Sequence, residues 1–463
     1  MKKILTFLTF LIAVCAANAQ DLSLNQAVNA ALQNNPGVAE AKENAQSASY
    51  AATAAKGKYL PRIDIVAAGV KLKDLVMLDL NDVRSAIIEA SVASYAGAGG
   101  AAPAIFKQNL ESQMPSFERK LLDDTFVRVM ATAVQPIFTG FKISANASVK
   151  NIERKISEIN FENAKNSAVT SVVEDYYRVK LAEDVLKIRQ ELQSSIERHV
   201  SNAQKLYKSG VISKTNLLRA EVALSQAKKE KQKSASDKEL AQILFANTLG
   251  DSEVKQYNLT SPMAMLENKN NENFYVEKAR VNNASLKLLN AKKDMLRQKR
   301  KAAVGNLLPN VAAVGQYQIL QDKLTAAEPE WTVGITASLN VFGGGSDVYE
   351  IKSVNSELDA VDAQIQSVQN LIFAAVKKYS SQLQSAKDEY DALASDEKLA
   401  QENLKLYNAS FQEGMATSLE VVDAQLVLTK IKIDRAKAVY DYNCAFANLL
   451  NICSMSQQEL GGK

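Results

Sequence analysis

Two long stretches of the chain place an apolar residue at every third or fourth position and contain neither proline nor glycine. The first runs from Phe141 to Ser209 and aligns Val149, Ile152, Ile156 and Ile159, then Val185, Ile188, Leu192, Ile196, Val200, Ala203 and Tyr207 along one stripe. The second runs from Ser346 to Glu413. Steps of three and four are the period of a coiled-coil-like helix. At 1.5 Å per residue each would extend about 100 Å, far beyond an ordinary globular helix. Each stretch ends at a glycine, in Ser209-Gly210-Val211-Ile212-Ser213 and in Glu413-Gly414-Met415-Ala416-Thr417. Glycine accepts the left-handed backbone that stops a helix. Ser213 and Thr417 then suit the N-cap of a returning helix. The returns, 214–249 and 416–452, are half as long, and two more half-length helices are expected at about 36–58 and 273–306. Each long helix is therefore expected to pack antiparallel against two half-helices set end to end. The joints fall at Asn34-Asn35-Pro36 and in the polar segment 250–272, which holds Gly250 and Pro262.

A second pattern, with period two, appears beyond Leu60-Pro61 and Leu308-Pro309. From Trp331 to Phe342, Trp331, Val333, Ile335, Ala337, Leu339 and Val341 point one way, and Thr332, Gly334, Thr336, Ser338 and Asn340 the other. Residues 311–319 alternate likewise; 62–73 and 126–137 do so less cleanly. Strands near 10–12 residues with aromatic ends suit a membrane barrel. Tyr59, Phe138, Phe141 and Phe342 would mark one interface, and Phe126, Tyr317 and Trp331 the other. Four strands cannot close such a barrel, and lipid tolerates no open edge. Copies must close it. Three chains give twelve strands around a hollow tube, whereas two give eight and a filled interior.

The pattern occurs twice. Residues 31–61 align without a gap to 279–309 at an offset of 248, with Ala31/Ala279, Asn34/Asn282, Asn35/Asn283, Gly57/Gly305, Leu60/Leu308 and Pro61/Pro309 identical. Further on, an offset of 204 carries Phe138-Thr139-Gly140 onto Phe342-Gly343-Gly344, Gly210 onto Gly414, Ser213 onto Thr417 and Ala220 onto Ala424. The change of offset places extra residues, about 75–122, between the first two strands, where they read as an extracellular loop or plug-like cap. Two similar halves suggest pseudo-symmetry about an axis.

Composition narrows the function. Residues 1–19 read as a secretory signal: Lys2 and Lys3, an apolar run from Ile4 to Ala16, and Ala17-Asn18-Ala19 at the cleavage site. Cys15 offers a rival, lipid-modified start, with the bulky Val14 against it. A formal charge of +4 over 463 residues argues against nucleic acid as a partner. Two cysteines remain after the signal, Cys444 and Cys453, and read as small buried hydrophobes. The one histidine, His199, cannot build a His-rich metal site, so no metal or cofactor is expected. No catalytic constellation appears, and the protein is not expected to be an enzyme.

These elements in this order resemble the TolC-like outer-membrane efflux proteins over essentially the whole mature chain. The resemblance rests on Leu22-x-Leu24-x-x-Ala27-x-x-x-Ala31-Leu32-x-Asn34-Asn35-Pro36, the two Leu-Pro strand entries and the paired Gly-x-x-[Ser/Thr] turns. Leu217-Leu218-x-Ala220-Glu221 and Val421-Val422-x-Ala424-Gln425 follow those turns. It implies a mainly α chain with a small β part: a homotrimeric transmembrane β-barrel, four strands per chain, continued by a long periplasmic α-helical barrel. It further implies an outer-membrane exit duct that works with a periplasmic adaptor protein and an inner-membrane transporter. A type I protein-secretion duct is the alternative within the family; a structural coiled-coil surface stalk is the alternative outside it. By the same resemblance, the adaptor-docking tips map to Gly210, Val211, Ile212, Ser213, Gly414, Met415, Ala416 and Thr417. The entrance gate maps to Thr215, Asn216, Arg219, Phe411, Glu420 and Asp423. Glu420 and Asp423 would form acidic rings on the axis; the plain alternative is a solvated first helical turn. The family's arginine and tyrosine in the lock correspond here to Ala416 and Phe411, which removes a charged link. Arg219 is expected to pair with acids at the entrance.

The expected organisation is a signal at 1–19, a first repeat at 20–250, an equatorial linker at 251–272, a second repeat at 273–453 and a tail at 454–463. The strand pairs lie at 59–73 with 124–138 and at 308–320 with 330–342, and the tips at 210–213 and 414–417.

Overall fold

A computed structural model describes residues 20–94, 101–122, 124–251, 256–320 and 329–461. The signal segment with Cys15, and Ala96 to Gly100 of the glycine-rich stretch, lie outside them. The chain divides into two compact units. The described part of Met1–Ala52, with Val149–Arg297 and Asn355–Lys463, forms one; Thr53–Ser148 and Gln298–Val354 form the other.

In chain order the elements begin with β1 (Gln20–Leu22), α1 (Leu24–Asn34), α2 (Pro36–Gly57), β2 (Arg62–Lys71), β3 (Val76–Asp79), α3 (Asn81–Ala93), α4 (Ala102–Gln113), β4 (Glu118–Leu122) and β5 (Thr125–Thr139). They continue with α5 (Lys142–Lys208), α6 (Lys214–Leu249), β6 (Tyr257–Leu259), α7 (Glu272–Asn282), α8 (Ala284–Gly305), β7 (Asn310–Leu320) and β8 (Trp331–Ser338). The last are α9 (Ser346–Gln412), α10 (Ser418–Ile452) and α11 (Ser456–Leu460). Both long helices, α5 and α9, have 67 residues. Among the described residues no helix is long and apolar enough to cross a membrane.

The helical unit has its main core where half-helices meet. Val169, Val172, Val173 and Tyr176 of α5, Phe245 of α6, Tyr275 of α7 and Leu449 and Leu450 of α10 are buried together. Tyr176 donates its hydroxyl to the Leu22 carbonyl (3.2 Å) and accepts from Ser261 N–H (2.8 Å). A parallel pair, β1 with β6, closes this region. The alternation Tyr257-x-Leu259, both apolar residues buried, signals a strand in a segment that sequence reading took for a plain linker. The repeat is visible in single bonds: Asn35 Nδ2 donates to Thr248 O and Asn283 Nδ2 to Ile452 O, each at 2.9 Å. The single helix expected over 273–306 is two, α7 and α8. Asn283 takes an extended backbone between them, and its Oδ1 accepts from Leu286 N–H (3.2 Å), so it caps α8.

The second unit holds a four-stranded antiparallel sheet in the order β2-β5-β7-β8. β5 is longest because its two partners are staggered: β2 pairs with Thr125 to Val134 and β7 with Val129 to Thr139. β8 ends at Ser338, short of the alternation that continues to Phe342. β7 begins at Asn310, opposite Ser338, and supplies no partner beyond it. At the base of the sheet the backbones of Gly140 and Gly305 cross. A Cβ on either would overlap the other's carbonyl oxygen, so both positions require glycine.

The described part of the extra segment in the first repeat is folded. β3 and β4 form an antiparallel ribbon, and α3 and α4 follow it out and back. Arg84 staples the two helices, donating from Nη2 to Glu111 O (2.6 Å) and to Met114 O (2.8 Å). Asn81 Oδ1 accepts from Phe117 N–H (3.0 Å), and Ile88 is buried between the helices.

Candidate functional site

The two helical hairpins of the first unit end in paired turns built by the same chemistry. After α5, Val211 N–H donates to Leu206 O (2.9 Å) and Gly210 N–H to Tyr207 O (3.0 Å). After α9, Met415 N–H donates to Ser410 O (2.9 Å) and Gly414 N–H to Phe411 O (3.1 Å). This is the Schellman closure, and it needs a left-handed residue at its centre. Gly210 (φ 77°) and Gly414 (φ 73°) provide it. The turns touch: a Cβ on Gly414 would stand 3.0 Å from Val211 Cγ1.

The eight tip residues do not share one environment. Val211 and Met415 are exposed, at 52% and 78%, whereas Ile212 and Ala416 are buried beneath them. The N-caps differ as well. Thr417 forms a complete capping box: its Oγ1 accepts from Glu420 N–H (3.4 Å), and Glu420 Oε2 accepts from Thr417 N–H (2.7 Å) and Oγ1–H (2.8 Å). Those donors, the backbone N–H first, hold the Glu420 carboxyl below its usual range. Ser213 makes no side-chain cap, and its carbonyl accepts from Asn216 N–H (3.1 Å).

The six residues expected at the gate separate into two groups. Phe411 is buried. Its ring lies 4.5 Å from that of His199, centroid to centroid. His199 Nε2 is hydrogen-bonded to Ser418 Oγ (3.2 Å), and both residues are buried. Burial lowers the imidazole pKa to about 4. Asn216 Oδ1 accepts from Ser418 N–H (3.3 Å) and so ties α6 to the start of α10. Around these lie Ile196, Val200, Ala203, Ile212, Ala220, Ala416 and Val421, a small apolar core shared by both hairpins. Gln425 Nε2 donates to Ser195 Oγ, and Lys432 pairs with Glu191 (3.0 Å), extending the tie between α10 and α5. Thr215, Arg219, Glu420 and Asp423 are exposed. Arg219 and Asp423 form no ion pair within the chain among the described residues.

Sequence reading missed His199 as part of this centre because it follows the charged pair Glu197-Arg198 and is buried by the second hairpin rather than by its own helix. The signal was present in the spacing: Leu192, Ile196, His199, Ala203 fall on one helical stripe.

In the sheet, Tyr317 stands opposite Trp331 and Phe126 opposite Val70. Phe138 and Phe141 meet edge to face at 5.4 Å, and Lys301 Nζ lies 5.0 Å from the Phe141 ring centre. Tyr59 and Phe342 are exposed.

Comparison with known proteins places this arrangement. The model of a family described as outer membrane efflux protein matches residues 113–250 and 275–453. The outer membrane protein TolC of Escherichia coli (strain K12) is 22% identical over 338 residues, covering 66% of this chain and 65% of that protein. The chain thus aligns to just under two thirds of that relative's length. The outer membrane efflux protein BepC of Brucella suis biovar 1 (strain 1330) is 20% identical over 331 residues, covering 71% of this chain and 72% of that protein. Among solved structures, the CmeC outer membrane channel of Campylobacter jejuni superposes with a TM-score of 0.71 at 13% identity, covering 95% of this chain and 86% of that one.

Proposed function

The chain belongs to the outer membrane efflux protein family, and from that premise we propose that it is the passive exit duct of a tripartite efflux system. It is an outer-membrane protein with a long helical periplasmic portion, and its family and fold are those of channels rather than enzymes. The surface-stalk alternative is set aside by that membership. In the proposed reading, three copies close one barrel, a periplasmic adaptor docks on the tips, and an inner-membrane transporter supplies the energy. Small molecules pass through without chemistry by the duct.

The observation that carries this reading is the four-stranded sheet with two open edges, β2 and β8. Such a sheet is unfinished in lipid until strands from other copies complete it. The paired turns support the docking role. Val211 and Met415 present apolar side chains on rigid Schellman turns, which suits recognition by another helical tip. Glu420 and Asp423 are exposed near the start of α10; repeated around an axis they form a cation-favouring ring.

Single-channel recording in planar bilayers tests this. Wild type is expected to give discrete, cation-selective openings, and Glu420→Ala/Asp423→Ala to weaken the selectivity. Purified protein that inserts without conducting refutes the duct. Channels indifferent to the double substitution refute the acidic ring.

A further inference from the structure

The two repeats do not bury the same surface. Gly140 and Gly305 cross inside the chain and are both buried. Their repeat counterparts are Gly344 and Gly57. Gly344 keeps the left-handed backbone of Gly140, φ 66° against 58°. Yet Gly344 and Gly57 are exposed, and a Cβ on either meets nothing within 4 Å. Neighbouring side chains show the same division. Phe342, Ile63 and Leu60 are 84%, 70% and 67% exposed, whereas their counterparts Phe138, Val311 and Leu308 are partly covered.

The strands repeat this with a definite register. Under the two offsets the hairpins superpose pair for pair: Arg62 faces Val134 as Asn310 faces Ser338, and Ile63 faces Ala133 as Val311 faces Ala337. The junction between hairpins, β5 with β7, sets Ala133 opposite Gly315, Thr132 opposite Gln316 and Phe138 opposite Val311. The matching junction, β8 with β2, is not made within the chain, because those strands are the two edges.

The geometry points to a second copy of this chain on that surface, held in the register of the internal junction. Ala337 of one protomer stands opposite the neighbour's Ala67, Thr336 opposite the neighbour's Ala68 and Phe342 opposite the neighbour's Ile63. Gly344 crosses the neighbour's Gly57 as Gly140 crosses Gly305. The residues after Ser338, unpaired within one chain, gain a partner strand here. Their counterparts in β5 from Gln135 onward likewise pair on one side only, with β7. This seam rests on the reading that copies close the sheet, and it adds which residues meet.

Two experiments test it on the full chain. The first is Gly57→Ala. In a lone chain the new methyl meets open space, and alanine is the better helix former. In the seam it strikes the neighbour's Gly344 backbone. The expected result is at least tenfold less assembled protein by light scattering in detergent, with unchanged helical circular dichroism; assembly equal to wild type overturns the crossing. The second compares Ala67→Cys/Ala337→Cys with Ile65→Cys/Ala337→Cys, a two-residue slip on the same strand face, with wild type controlling for native cysteines. The first pair is expected to give disulfide-linked oligomers, the second not. A slipped pair that links equally well overturns the register while closure stands. Neither pair linking in an assembled wild type overturns the seam alone. A wild type that light scattering shows to be monomeric overturns the closure with it.

Discussion

Acidifying the protein should loosen the tip before it loosens anything else, and His199 sets the window. Its ring is buried against Phe411 and bonded to Ser418, and burial lowers its pKa from 6.5 to about 4. The folded state therefore prefers the neutral ring. The resulting stabilisation is complete above the unfolded value of 6.5 and is lost as pH falls toward 4. At 1.36 kcal/mol per pKa unit the whole shift corresponds to about 3 kcal/mol, of which about 2 kcal/mol is gone at pH 5. The reading that suits a local effect is backbone hydrogen exchange, which resolves opening segment by segment. Between pH 7.5 and 5, after correction for intrinsic rates, amides around 196–203 and 409–421 should exchange roughly 30-fold faster. Those around Tyr176 and Phe245 should not. His199→Gln keeps a polar partner for Ser418 without titrating, so its tip should lose the response. A wild-type tip whose corrected exchange is flat over this range refutes the reasoning. So does a Gln variant that responds as wild type does.

Other consequences are as direct. Thr417→Ala removes the capping box and should cost about 1 kcal/mol, with the Glu420 carboxyl titrating higher by NMR; Ser213→Ala, which loses no side-chain cap, should be nearly silent in the same melt. Arg84→Ala removes the staple between α3 and α4, and limited proteolysis should then cut within 81–113 while leaving the sheet and long helices intact. Cys453 is fully buried and its thiol is pushed up to about 12, so a maleimide at neutral pH should leave it unmodified until the protein unfolds.

The long elements were legible because their signals are long. Apolar spacing over the stretch that became α5, ended by Gly210 and answered by Ser213, leaves few alternatives to a helical hairpin. The duplicated offsets even carry the sheet register, since Arg62 with Val134 and Asn310 with Ser338 obey them. Short elements escaped. β1 and β6 have three residues each, too short for the Tyr257-x-Leu259 alternation to stand out from a polar linker, and they pair beside Tyr176, which is far away in sequence. The break at Asn283 escaped for a similar reason: its cost in a helix is offset by two side-chain bonds, one to a residue 169 positions away. His199 was hidden because the second hairpin, not its own helix, buries it. The insert's helices and ribbon could not be told from a loop in the sequence, which left a loop and a plug-like cap open, because Arg84 and Asn81 hold them by reaching across the segment.

That insert is self-contained. Among the described residues its ribbon is a two-stranded sheet of its own, its helices are stapled to each other, and it joins the sheet through the two strands of one hairpin. Evolution can therefore treat it as a cassette, to be lengthened, exchanged or discarded without re-solving the barrel below. Relatives that share this scaffold should diverge fastest there, and an experimenter seeking a place for an epitope or an affinity tag should begin at the same point.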